Sequence, residues 1–240
     1  MNIFSKFQSS PFKGVFEGLT DWHCHILPGV DDGVKSIEDS LLILDRYEKN
    51  GVLNVILTPH IMVDIPNETD ALRARFEELK EAYTGPVRLY LAAENMIDNL
   101  FYQRLEKNDL LALPGKRLLV ETSYFNPPVD LYGTLMDIKK AGYTPVLAHP
   151  ERYEYMNRHQ YEVYFDADVD FQLNLPSLIG YYGRSVQERA LWLMNEEFYT
   201  MCGTDLHRKS SLTSFLEASI RRSDFNQLAE SVLDISNKLL

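Results

Sequence analysis

Leu19-Thr20-Asp21-Trp22-His23-Cys24-His25 runs a short strand signal straight into two histidines, and Asp31-Asp32 follow in the turn between Gly29 and Gly33. In an extended segment, side chains two residues apart point to the same side, so His23 and His25 can meet one cation without a special turn. Cys24 then faces away from both, which excludes it as a ligand. The same succession recurs in Thr58-Pro59-His60, Ala93-Glu94, Val120-Glu121, Ala148-His149-Pro150 and Thr204-Asp205-Leu206-His207. Strand, then ligand-type residue, is how a barrel collects a metal site at the ends of its strands.

Working outward, the strand signals fall at 19–22, 53–58, 87–92, 117–120, 144–148, 170–173 and 198–202. Most are continuous apolar runs, as expected for strands covered on both faces. Helical patterns fill the gaps. Ser36-Ile37-Glu38-Asp39 predicts a capped start, Ile37, Leu41 and Leu44 an apolar stripe, and Gly51 a stop. Asn67 is the expected cap of the charged helix that follows it. Further helices are predicted over 130–141, ending at Gly142, and over 184–195, 210–222 and 224–240. Seven βα units predict an α/β fold, a distorted (β/α)7 TIM-like barrel. A doubly wound open sheet is the alternative, weakened because such a sheet would gather its ligands at one crevice. Residues 1–18 read as a lead-in with a loop at Ser9-Ser10-Pro11, and residues 19–240 as a single domain.

The chain has 240 residues, 45% of them hydrophobic, and a net charge of −11. That length suits one sizeable core. The acidic balance repels phosphate backbones and argues against a nucleic-acid partner. Any anion site must therefore bring its own positive charge, for which divalent metals are the obvious source. Cys24 and Cys202 form no CxxC and read as buried small residues in a reducing compartment. No stretch is long and apolar enough for a membrane span, and the first residues lack a signal-peptide core. The expected location is the cytoplasm.

Singly, each candidate has a bland reading: a polar strand end, or a capped or paired carboxylate. Jointly, His23, His25, His60, Glu94, Glu121, His149, Asp205 and His207 on one rim are hard to obtain by chance, because a charge at the end of an apolar run is costly without a partner. Mixed imidazole and carboxylate donors suit Zn, Mn or Fe rather than Ca. Asp21 is a candidate for orienting an imidazole ring. His159 lies in a charged stretch and reads as a surface residue. No GxSxG elbow or cysteine nucleophile loop is present.

The run from Asp21 through His23, His25 and Pro28 to Gly33 resembles the opening motif of the bacterial tyrosine phosphatases of the polymerase-and-histidinol-phosphatase (PHP) superfamily, the CpsB/YwqE type of capsular and exopolysaccharide loci. Thr58-Pro59-His60, Glu94, Val120-Glu121, Ala148-His149-Pro150-Glu151-Arg152-Tyr153, Gln172-Leu173-Asn174 and Gly203-Thr204-Asp205-Leu206-His207 are similar to the later motifs, in order. The resemblance covers about 19–207. It departs at Ala92-Ala93-Glu94-Asn95-Met96, where the family commonly has Gly-x-Glu-Ile, and in a longer amino-terminal segment.

The resemblance implies three divalent metals: one on His23, His25, Glu94 and Asp205; one sharing Glu94 and adding Glu121 and His149; one on Asp32, His60 and His207. Manganese is the expected ion, with iron, zinc or magnesium as alternatives. Arg152 is implied to contact the substrate phosphate. The expected reaction is attack by a metal-bridging hydroxide, with a metal-bound water, Asp205 or His207 protonating the leaving phenolate. The implied partner is a phosphotyrosine-bearing protein, the tail of a tyrosine autokinase of polysaccharide synthesis. Four carboxylates against three divalent ions leave a pocket of about +2, suited to a phosphate dianion; one metal would leave about −2. Tyr124, Phe125, Tyr153, Tyr181 and Tyr182 are candidates for an aromatic mouth. Two other readings use the same residues: a small-molecule phosphatase of the histidinol-phosphate type, and a non-catalytic metal-stabilised partner, which would be expected to have lost a ligand.

Overall fold

The apolar runs become parallel strands and the capped segments between them become helices, in the computed structural model, which describes residues 8–240. Strands β2 (Thr20–Cys24), β3 (Asn54–Leu57) and β5 (Arg88–Leu91) form one parallel sheet in the order β2-β3-β5. A second, six-stranded parallel sheet has the order β10-β9-β8-β7-β6-β4. Its members are β4 (His60–Ile61), β6 (Glu94–Met96), β7 (Arg117–Glu121), β8 (Thr144–Ala148), β9 (Asp170–Asn174) and β10 (Tyr199–Gly203). The strands expected at 53–58 and 87–92 are β3 and β5, and each is followed by a further short strand, β4 and β6, that the sequence reading did not include. Thr58-Pro59 separates β3 from β4, and Ala92-Ala93 separates β5 from β6. Proline has no N–H for a central ladder. The short strands join the second sheet and bring His60 opposite Glu94.

The fold is a mixed α/β arrangement of parallel sheets, and among the described residues no ladder closes it into a barrel. The two sheets meet where Cys24 bridges Leu206 in parallel. There His25 N donates to Leu206 O at 2.9 Å and Asp205 N donates to His23 O at 2.7 Å. Trp22, Ile56, Ala92, Leu119, Val146 and Met201, each on or beside a different strand, pack into a small inner cluster. A much larger outer cluster lies under the helices. Each fully buried aliphatic side chain contributes roughly 1.5–3 kcal/mol.

Helix α1 (Ile37–Lys49) starts where Ser36 Oγ accepts from Asp39 N at 3.2 Å, buries Ser40, Ile43, Leu44 and Tyr47, and stops at Asn50 before Gly51. Gly51 has φ +85°, a left-handed conformation that glycine adopts freely. Helix α4 (Leu131–Lys140) is capped by Asp130, and α6 (Arg184–Asn195) lies where predicted. The charged helix is α2 (Thr69–Ala82), but Asn67 does not cap it; Glu68 holds the cap position without a side-chain bond. Asn67 Nδ2 instead donates to Val30 O and His60 O, both at 2.9 Å, tying two site loops together.

Two more expectations are corrected. Ser9-Ser10-Pro11 is not a loop but strand β1 (Ser9–Pro11), paired antiparallel with β11 (Ser219–Arg221). That pairing also interrupts the helix expected over 210–222, leaving α7 (Lys209–Glu217), with α8 (Arg222–Leu228) and α9 (Asp234–Lys238) beyond. A two-stranded contact between chain segments some two hundred residues apart leaves no local periodicity to read. Phe12, Val15 and Phe16, in the 3-10 turn after β1, are completely buried. The rest of the expected lead-in, residues 1–7, lies outside the described residues.

Candidate metal centre

Strand β2 carries a register shift between Asp21 and Cys24, and bulges of this kind re-aim side chains. Trp22 packs in the inner cluster while Cys24 belongs to the outer one, its Sγ 3.5 Å from Ile56 O and away from the ligands. His23 and His25 meet as their spacing predicted, Nε2 to Nε2 at 3.1 Å. Glu94 Oε2 lies 3.1 Å from His23 Nε2 and 3.2 Å from His25 Nε2; Asp205 Oδ1 is 3.4 Å from both. This first cluster is almost fully buried.

His60 adds a second corner. Its Nδ1 is 3.1 Å from Glu94 Oε2 and 3.2 Å from Glu121 Oε1, and its Nε2 faces Asp32 Oδ1 at 3.5 Å. His149 Nε2 lies 3.0 Å from Glu94 Oε1 and 4.0 Å from Glu121 Oε2. At the open end, His207 Nε2 is 3.4 Å from Asp32 Oδ1, and its ring stacks on that of His25 at 4.0 Å. The donor atoms converge as three groups: His23, His25, Glu94 and Asp205; His25, Asp32, His60 and His207; His60, Glu94 and Glu121. His149 joins the last through Glu94. All the ligand residues named from the sequence are therefore brought together at one end of the strands.

The field inside this cluster strongly favours cations. Burial opposes ionisation of Glu94, yet His23 and His60 hold it well below the usual carboxylate range. Asp205 is lowered likewise, against its burial, by His23, His25 and His207. Burial and His25 disfavour the proton on His60, but Glu94 and Glu121 raise its pKa to about 10. Burial opposes protonation of His25 too, and Asp205, Asp31 and Glu94 hold its pKa well above normal. Protons on imidazole answer the carboxylates here, and divalent ions would displace them. The residues fit such ions: His60 Nδ1, Glu94 Oε2 and Glu121 Oε1 are buried, within 3.2 Å of a neighbour in the trio, and none makes a hydrogen bond. Buried polar atoms without partners are costly, and a shared cation would satisfy all three.

Arg152 enters from the 3-10 turn Pro150–Arg152. Its Nη1 donates to Asp205 Oδ2 at 2.8 Å, opposite the oxygen that faces the histidines. With Tyr181, Tyr182, Arg208, Ser211 and Phe215 it lines a cleft of about 320 Å³ that opens beside Asp32 and His207. Of the aromatic candidates, Tyr124 and Tyr182 flank Arg152 and Tyr181 lines the cleft. Tyr153 is fully buried behind it, and Phe125 projects into solvent with 65% exposure.

Several supporting residues had only a place in a motif. Asp31 Oδ2 accepts from His25 Nδ1 at 2.9 Å, and Gln172 Oε1 pairs with His23 Nδ1 at 2.9 Å. These contacts settle which ring nitrogens face the cluster. Asn174 Nδ2 donates to Asp205 Oδ2 at 3.1 Å. Glu151 is fully buried and anchors the arginine-bearing turn, accepting from Asn174 N, Ser177 Oγ and Tyr199 OH. The adjacency of Asp31 to Asp32 was the available signal; nothing local marks the others. Asp21 does not orient a ring. It accepts from Thr204 N, Thr204 Oγ1 and Tyr47 OH, pinning β2 to the end of β10. His159 is a surface residue, 83% exposed.

The chain has relatives among known proteins. The chain matches the family described as capsular polysaccharide synthesis, CpsB/CapC, over residues 19–227. It is 28% identical to tyrosine-protein phosphatase YwqE of Bacillus subtilis over 196 residues, 79% of this chain and 77% of the relative. It is 25% identical to tyrosine-protein phosphatase CpsB of Streptococcus pneumoniae over 211 residues, 83% of this chain and 87% of the relative. A crystal structure described as YwqE and CpsB, unique metal-dependent tyrosine phosphatases, superposes with a TM-score of 0.75 at 26% identity, covering 88% of this chain and 87% of the other. Motifs, ligand geometry and fold point the same way, and the chain belongs to the CpsB/CapC family of capsular polysaccharide synthesis.

Proposed function

We propose that this protein is a metal-dependent protein-tyrosine phosphatase. The observation that carries the proposal is the junction of two features: a buried cluster of imidazoles and carboxylates, and an arginine bound to one of those carboxylates at the wall of an aromatic cleft. The first group, His23, His25, Glu94 and Asp205, would hold one divalent ion. Glu94, Glu121 and His149 with His60, and Asp32, His60 and His207, would hold the others. Bound divalent ions supply an acidified water and positive charge toward phosphoryl oxygens.

The chain's own residues do the rest. Arg152 offers a planar guanidinium to the phosphate. Asp31 and Gln172 fix the rings of His25 and His23. Asp205 is buried and committed to Arg152 and Asn174. His207, partly exposed at the cleft edge, would itself be taken up as a ligand, with Nε2 toward Asp32 and Nδ1 donating to Asp205 O at 2.8 Å, so the proton for a leaving phenolate would come from water. No cysteine approaches the cluster, so the reading involves no phosphocysteine.

Manganese is the ion we expect, and the tail of a tyrosine autokinase of polysaccharide synthesis, in the cytoplasm, the substrate. The strand order across both sheets supports reading the layout as a distorted (β/α)7 barrel, with 19–240 as one phosphatase domain onto whose core residues 9–18 pack. The test is turnover of a phosphotyrosine peptide with added manganese, alongside histidinol phosphate. Peptide turnover that chelation stops, manganese restores and Arg152→Ala abolishes is expected. Preference for histidinol phosphate would favour the small-molecule reading, and no turnover of either would sink the proposal.

A further inference from the structure

Arg152 is held on three sides. Its guanidinium carbon lies 4.3 Å from the ring centroid of Tyr124 and 4.3 Å from that of Tyr182. One edge is committed, through Nη1, to Asp205. Among the described residues Nε and Nη2 have no protein partner, on a side chain that lines the cleft. With two rings against the guanidinium and Nη1 occupied, Nε and Nη2 are the donors left for a phosphoryl group.

The enclosing rings are themselves braced. Tyr124, in the loop after β7, stacks on the fully buried Tyr153 at 6.2 Å and 26°. Tyr182, in the loop before α6, meets Tyr181 edge-on at 5.0 Å, and Tyr181 meets Phe215 of α7 at 5.1 Å. Asn174 Nδ2 spans Tyr182 OH at 3.2 Å and Asp205 Oδ2 at 3.1 Å. An arginine on a flexible stem would otherwise lose rotamer freedom whenever it took a ligand.

We propose that Tyr124 and Tyr182 are positioning residues for Arg152: a two-sided aromatic clamp that presents its free edge to phosphate, acting through the ring faces rather than the hydroxyls. The proposal rests on the phosphatase reading for its biological use, but phosphate binding tests it separately. The probe is inorganic phosphate, titrated calorimetrically into manganese-loaded protein, with 4-nitrophenyl phosphate turnover as a second readout. Tyr182→Leu should weaken phosphate about tenfold, a cation–π contribution in a partly desolvated site. Tyr182→Phe, which keeps the ring, should stay within about twofold of wild type, because only the hydroxyl contact is lost. In an Arg152→Met background, which removes the cation, Tyr182→Leu should change binding by less than about twofold, since coupling vanishes once the clamped group is gone.

Equal losses in both backgrounds would mean Tyr182 only supports the wall, and overturn the clamp. So would a Tyr182→Phe loss as large as that of Tyr182→Leu, or wild-type phosphate affinity in Tyr182→Leu. Should Tyr182→Leu fail to fold by circular dichroism, Tyr182→Met and Tyr124→Leu carry the same cycle. If wild type binds phosphate yet turns over no aryl phosphate, the phosphatase reading fails while the binding cycle still decides the clamp. If wild type binds no phosphate, the clamp is overturned too.

Discussion

Gly203 ends β10 directly against β2, and replacing it with alanine should damage the metal centre from behind. A methyl built there stands 2.6 Å from both N and Cβ of His23 and 2.9 Å from its Cα. Ordinary contact begins at about 3.4 Å, so the two strands must part by roughly 0.8 Å. The contacts are mostly backbone and cannot swing aside. The same junction carries the bonds from Asp205 N to His23 O and from Thr204 N to Asp21 Oδ1. Overpacking of this kind costs about 1–3 kcal/mol. For a chain of this size that lowers Tm by roughly 2–6 °C. His23 and Asp205 would also separate, which should weaken metal binding by at least about tenfold. Thermal melts with chelator and with manganese separate the two effects, since a tenfold affinity loss removes about 1.4 kcal/mol of metal-linked stability. Gly142→Ala is the control. Gly142 has φ +89° with nothing within 4 Å of its would-be methyl, so it should lose about 1 kcal/mol equally in both conditions. A Gly203→Ala protein with wild-type melting and an undiminished response to manganese would refute the steric reasoning.

Other outcomes follow from the same contacts. Gln172→Leu and Asp31→Asn should each reduce metal affinity by about 10- to 100-fold by freeing an imidazole, as read by competition with a chelating dye. Manganese at a hundred times its dissociation constant should add about 2.7 kcal/mol to stability, a gain that His149→Ala and Glu94→Gln reduce in calorimetric melts. Tyr155, pushed up to about 12 by burial against a hydrogen bond shared with Thr122, favours the neutral folded form. Its contribution is complete below pH 10 and is lost as pH rises toward about 12. Tyr155→Phe should therefore lose less stability than wild type across that window in urea titrations.

Local chemistry made much of this protein readable. Apolar runs and caps such as Ser36 and Asp130 depend on neighbours a few residues away, so the strands and most helices were legible. The ligand residues were legible because charged groups at the ends of apolar runs need a shared partner. Ser9–Pro11 was not, because its strand character comes from pairing with Ser219–Arg221, and Asn67 was not, because its amide is recruited by Val30 and His60.

The order of motifs along the chain determined by itself that a metal-ligating α/β protein was at hand, since residue type and alternation suffice for that. Only the tertiary structure decided that β3/β4 and β5/β6 are split between two sheets and that Asp21 pins strands rather than a ring. It alone put Asp31 and Gln172 behind the histidines and enclosed Arg152 between Tyr124 and Tyr182. Those outcomes depend on the direction in which each side chain leaves a twisted, bulged backbone, and on distances between segments that the linear order leaves open.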